Sequence, residues 1–180
     1  MKPSAEMTVG PFFPREFGAG ANDLTRLGKR RPTGGTAIEI GGRVTQADGR
    51  PLDNLVIEIW QADWQGIYRD PADSRCTNAD ADFFGWGRAA TDKDGVYAFK
   101  TLKPGARDGR APHINMLILF SGLMHQLQTV MFFGDAPDDP VYAAVPAARR
   151  ALLVAKAAGP NRYRFDIRLR GEGETPFFDD

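Results

Sequence analysis

From residue 36 onward, short apolar and β-branched runs alternate with turn signals at close spacing, the pattern of an all-β sandwich and not of alternating strands and helices. Ala37-Ile38-Glu39-Ile40 leads to Val44, and Asp48-Gly49 then offers a turn, since Asp and Gly tolerate positive φ. Leu55-Val56-Ile57-Glu58-Ile59-Trp60 reads as the next strand. Phe84-Gly85-Trp86-Gly87-Arg88 is followed by a turn at Asp92-Lys93-Asp94-Gly95 and a strand at Val96-Tyr97-Ala98-Phe99. Residues 114–120 and 127–133 are apolar runs broken by Ser121-Gly122, as expected of a buried hairpin. Residues 164–170 alternate strictly, which predicts a strand with one wet face. Only residues 147–158 look helical, with Gly159-Pro160 as the stop.

Residues 1–35 lack this periodicity and carry Gly, Pro and charge, with Phe12, Phe13 and Phe17 among them. Such a segment reads as an arm, and three aromatics predict that it lies on a surface, that of a partner chain included. The expected architecture is an antiparallel β-sandwich over residues 36–180, ending in a C-terminal tail, with an extended partner-contacting N-terminal arm and one short helix.

At 180 residues the chain is long enough for one domain with a full core. Its 23 basic and 23 acidic residues cancel, which removes the electrostatic argument for nucleic acid or an anionic membrane. Cys76 is the sole cysteine, so no internal disulfide framework exists. The first residues carry no apolar run of the signal-peptide kind, and no window nears the roughly 20 apolar residues of a membrane span, so a cytoplasmic protein is expected.

Most local motifs fail on inspection. Asn78-Ala79-Asp80-Ala81-Asp82 imitates a calcium loop, but Phe83 stands where the turn glycine belongs and Ala89 where the bidentate Glu belongs, so a solvated acidic loop is expected. No Ser sits in a Gly-x-Ser-x-Gly elbow, and Cys76 has no His nearby in sequence. Tyr68, His113 and His125 have metal-binding potential, because phenolate and imidazole together suit ferric iron, yet a lone His in a β-rich chain is most often structural.

The wider text is more specific. Leu55-Val56-Ile57-Glu58-Ile59-Trp60-Gln61-Ala62-Asp63, Gly66-Ile67-Tyr68, Gly85-Trp86-Gly87-Arg88, Thr91-Asp92-Lys93-Asp94-Gly95, Lys103-Pro104-Gly105, Pro112-His113-Ile114 and Arg164-Phe165-Asp166-Ile167 stand in order. Together they resemble the intradiol ring-cleavage dioxygenases, from Thr8-Val9-Gly10-Pro11-Phe12 to the terminal Gly171-Glu172-Gly173-Glu174-Thr175-Pro176-Phe177-Phe178. In that family's iron-bearing chains the resemblance implies two Tyr and two His ligands on non-haem Fe(III). Tyr68 and His113 match the first of each. Asn115 stands at the second His position, and Ala106 at the second Tyr position after Lys103-Pro104-Gly105. An amide oxygen is a weak ligand and a methyl group none, so these are vestigial positions and no metal is expected on this chain.

The resemblance therefore implies a subunit with no catalytic residue of its own, in a hetero-oligomer whose Fe(III) lies on a homologous β chain. The substrate class it implies is a small aromatic dihydroxy acid. Thr8, Gly10, Pro11, Phe12 and Val130 are the expected substrate-binding residues at the interface. Related metal-free chains have Tyr where Phe12 stands and Arg where Val130 stands, so the substrate carboxylate is expected to be held differently here. Arg110 aligns with an Arg important in the iron-bearing chain and is expected to be structural. Two other readings stand beside this one: a metal-free β-sandwich binding or assembly module, and a self-sufficient dioxygenase using Tyr68, His113 and His125.

Overall fold

The computed structural model describes residues 8–10 and 12–178; Pro11 lies outside them. Its strands are β1 Ala37–Thr45, β2 Val56–Trp60, β3 Trp86–Ala90, β4 Val96–Leu102, β5 His113–Leu119, β6 Leu127–Phe132, β7 Lys156–Gly159, β8 Arg162–Arg164 and β9 Ile167–Arg168. Two short helices, α1 Pro140–Ala144 and α2 Ala147–Arg150, fall between β6 and β7. One sheet runs β4-β1-β8-β7, with β9 also paired to β1; the other runs β3-β2-β5-β6. All pairings are antiparallel except those of β1 with β8 and β9.

The period-2 alternation decides what faces inward. Ile38, Ile40, Val44, Tyr97 and Phe99 from one sheet meet Ile57, Ile59, Ile114, Met116 and Ile118 from the other in a single buried cluster. Each fully buried aliphatic or aromatic side chain contributes about 1.5–3 kcal/mol. Leu24, from the segment before β1, joins this cluster and lies against Gly87, where any Cβ would collide with it. A second cluster of Val130, Phe132, Tyr142, Val145 and Leu153 seats the helical segment against β6.

The helix expected over 147–158 ends early. Ala155 donates its N–H to Phe132 O, Val154 is extended, and Lys156–Gly159 pairs with β8 as a wholly exposed strand. Gly159-Pro160 thus serves a hairpin and not a helix stop. The single expected helix is replaced by two, because Asp139 accepts from the N–H groups of Val141 and Tyr142 and Pro140 opens α1, a start signal the apolar pattern hides. The strand expected over 164–170 is split into β8 and β9 around buried Phe165. Asp80 is buried and not solvated, since its carboxylate accepts from the N–H and hydroxyl of Thr33 and from the N–H of Asp82.

Candidate functional site

The outward positions of the β3-β2-β5-β6 sheet form cross-strand rows. Trp86 faces Trp60, Trp60 faces Asn115, and Asn115 faces Val130; in the adjacent row Arg88 faces Glu58, Glu58 faces Leu117, and Leu117 faces Gln128. Glu58 accepts from Arg88 Nε at 2.8 Å and from Arg88 Nη2 and Trp86 Nε1 as well.

Tyr68 reaches this face from the loop after β2. Asp63 is buried and orders that loop, accepting from the N–H groups of Gln65 and Ile67 with one oxygen and from that of Asp80 with the other. Gly66 adopts φ +77 with its α-carbon pressed on Ala106 O, where a Cβ would come within 2.1 Å. Only glycine meets both demands. Asp73 then accepts from the Tyr68 N–H at 3.1 Å, and the ring stacks on Trp60 with centroids 6.0 Å apart.

His113 and Asn115 lie two residues apart on β5 and so share a face. His113 Nδ1 lies 2.7 Å from Ala111 O, which fixes it as the protonated nitrogen and leaves Nε2 as an acceptor. Tyr68 Oη lies 3.3 Å from that Nε2 and donates to it, while accepting from Asn115 Nδ2 at 3.0 Å. Asn115 Nδ2 also donates to Trp60 O at 3.2 Å. The three side chains form a closed hydrogen-bonded set. Burial raises the Tyr68 phenol above its ordinary value, against the opposing effect of Asn115, Arg110 and Arg107. Burial lowers the His113 imidazole, and Arg110 and Arg107 lower it further against the Ala111 carbonyl and Asp139. Both groups are neutral at neutral pH.

Ala106 brings a backbone carbonyl against Gly66 and no phenol. The next residue supplies charge instead: the Arg107 guanidinium sits 5.0 Å from the Tyr68 ring centroid and pairs with Asp73 at 3.0 Å. Arg110 donates from Nε to Asp139 at 2.8 Å, and the same carboxylate accepts from the Ala111 N–H. Burial pushes the Asp139 carboxyl up, and Arg110 with the backbone donors of Tyr142 and Ala111 more than reverses this, leaving it below its ordinary value.

This donor set does not fit Fe(III). Ferric iron wants several phenolate or imidazole ligands, whereas the site presents one phenol and one imidazole, hydrogen-bonded to each other, beside the Asn115 amide and the Ala106 methyl group, with the Arg107 and Arg110 guanidinium groups close by. Among the described residues, no group of three or more His, Cys, Asp or Glu side chains is placed to hold a metal ion. His125 does not complete the set. It precedes β6 at the far end of the β5-β6 hairpin from His113, several strand residues away at about 3.3 Å each.

A dioxygenase family model matches residues 8–171. A protocatechuate 3,4-dioxygenase alpha chain from Burkholderia cepacia is 37% identical, with 99% of this chain and 98% of the relative covered. The chain belongs to the intradiol ring-cleavage dioxygenase family. The protocatechuate 3,4-dioxygenase beta chain of the same organism is 33% identical over 79% of this chain and 68% of its own length. An intradiol ring-cleavage dioxygenase from Tetranychus urticae shares the fold, with a TM-score of 0.63 at 18% identity over 93% of this chain and 94% of that one.

Within this dioxygenase frame, Tyr68, His113 and Asn115 come together, and Val130 stands directly across from Asn115. Thr8 and Phe12 do not join them. The Thr8 hydroxyl donates to Phe120 O and accepts from the Gly122 N–H at the hairpin turn, and Phe12 projects 92% exposed. Gly10 adopts φ +71 between them. Sequence reasoning did not find Arg107, Asp73 or Asp139. Asp139-Pro140 carried a readable helix-start signal; Asp73 and Arg107 meet only through the fold.

Proposed function

We propose that this chain is the metal-free alpha subunit of a protocatechuate 3,4-dioxygenase, acting in the cytoplasm beside a homologous beta chain that carries the non-haem Fe(III). The assembly would cleave protocatechuate between its two hydroxyl-bearing carbons, placing both atoms of O2 in the product, 3-carboxy-cis,cis-muconate. What carries this reading is the neutral Tyr68–His113–Asn115 set with Arg107 beside it, in a chain that aligns end to end with an alpha chain.

This chain's part is shape and positioning. Phe12 is the side chain best placed to enter a partner's site, because it is large, apolar and unsupported by its own domain. Thr8 anchors the start of that segment on the β5-β6 turn, so the residues after it leave from a fixed point. Thr8, Gly10, Pro11 and Phe12 would then wall the substrate pocket of the beta chain, while Val130 borders this chain's own metal-free site.

Oxygen uptake with protocatechuate tests the reading. The chain alone should show none, and mixing it with a separately prepared beta chain should raise activity well above that of the beta chain alone. Equal activity with and without this chain would point to a binding or assembly module instead.

A further inference from the structure

Above the metal-free site lies a cavity of about 650 Å³, within the range of small-molecule sites. Its walls include Trp60, Trp86, Leu117 and Val130, and Asn115 and Arg110 are among its polar members, as is Glu58, whose carboxylate is taken up by Arg88. Arg110 is anchored through Nε on Asp139, yet its Nη2 is buried with no hydrogen-bond partner among the described residues. A buried donor left unmatched is unfavourable, and a guanidinium held at one edge is preorganised to take an acceptor at another.

We infer that this cavity is a ligand site belonging to this chain, for a flat aromatic carboxylate whose ring lies between the Trp60, Trp86 and Leu117 side chains and whose carboxylate meets the Arg110 guanidinium. Asn115, which donates to Tyr68 Oη, lines the cavity, and the ligand is held without metal and undergoes no reaction there. The proposal does not rest on the subunit reading. A carboxylate could also arrive on a segment of the partner chain, and the two sources are separable.

Titration calorimetry with benzoate on the full chain, repeated after pairing with the beta chain, is the test. One benzoate per chain is expected, with a Kd of about 1 mM or below. Arg110→Gln, which can still reach Asp139, should weaken binding roughly tenfold or more. Leu117→Trp, which enlarges a wall side chain and leaves Arg110 in place, should abolish it. Circular dichroism of both variants guards against misfolding. No binding to the wild-type chain, or equal binding in both variants, overturns the proposal. Binding that disappears once the beta chain is present overturns the free-ligand source and assigns the cavity to a partner segment. The chain-alone arm involves no partner, so its failure leaves the subunit reading standing, and a failed reconstitution leaves this titration standing.

Discussion

The two outer faces of the sandwich hold charge in opposite ways. On the β4-β1-β8-β7 sheet, Arg162 pairs with Glu39 and Arg164 with Asp166, all four side chains about half exposed or more. On the β3-β2-β5-β6 side, Asp139 and Asp73 are almost wholly enclosed, and each binds an arginine together with backbone N–H groups. Solvated pairs contribute about 0–1 kcal/mol each, while enclosed pairs are costly to break, since the survivor is stranded. The lesson is that the Tyr68–His113–Asn115 set is held in an enclosed polar frame, whereas the opposite face carries only solvated pairs.

The largest effect should come from Asp139→Ala. It strips Arg110 of its partner and removes the acceptor for the N–H groups of Ala111, Val141 and Tyr142. A loss of about 3–5 kcal/mol in urea unfolding is expected. A loss below about 1 kcal/mol would erase the distinction between the two faces.

Tyr68→Phe should cost less, about 1–3 kcal/mol, because His113 Nε2 loses its donor while Asn115 keeps Trp60 O. An unchanged midpoint in the same unfolding experiment would mean that the hydrogen-bonded set contributes nothing.

The pH dependence follows from His113. Its folded pKa lies below the ordinary 6.5, so the unfolded chain takes up the proton first. The stability due to the neutral imidazole is complete above about pH 6.5 and is lost as pH falls from there through the folded pKa, at no more than about 1.4 kcal/mol per pH unit. Thermal unfolding from pH 7.5 to 5.5 should show this slope, and His113→Gln should flatten it. The carboxylates Asp139 and Asp73 have lowered pKa values, so their contribution persists until pH falls below about 4 and does not overlap this window. A slope that survives in His113→Gln would assign it to another group.

The smallest effect belongs to the opposite face. Arg162→Ala should shift stability by less than about 0.5 kcal/mol, and a loss rivalling that of Asp139→Ala would break the comparison from the other side.

The sandwich was legible because its strands obey a period of two, and the hairpin around Ser121-Gly122 emerged as read. Residues 147–158 misled because an Ala-rich stretch carries helical propensity, while the pairing of Lys156–Gly159 with β8 depends on tertiary context. Tyr68, His113 and Asn115 were legible through ordered motifs. Their mutual hydrogen bonds were not, since 45 residues separate Tyr68 from His113 and only the packing of the post-β2 loop on β5 joins them. Arg107 was visible only as a residue beside a missing tyrosine; its placement over Tyr68 follows from the turn that returns the chain to β5.

Under the proposed function, this chain keeps the frame of an iron site and binds no iron. Metal analysis of the full chain, purified after iron-replete expression, addresses it most directly. The account predicts near-zero iron and a colourless protein. Stoichiometric iron with a visible phenolate-to-metal absorption would contradict it, and would mean that Tyr68 and His113 still bind metal beside Asn115 and Arg107.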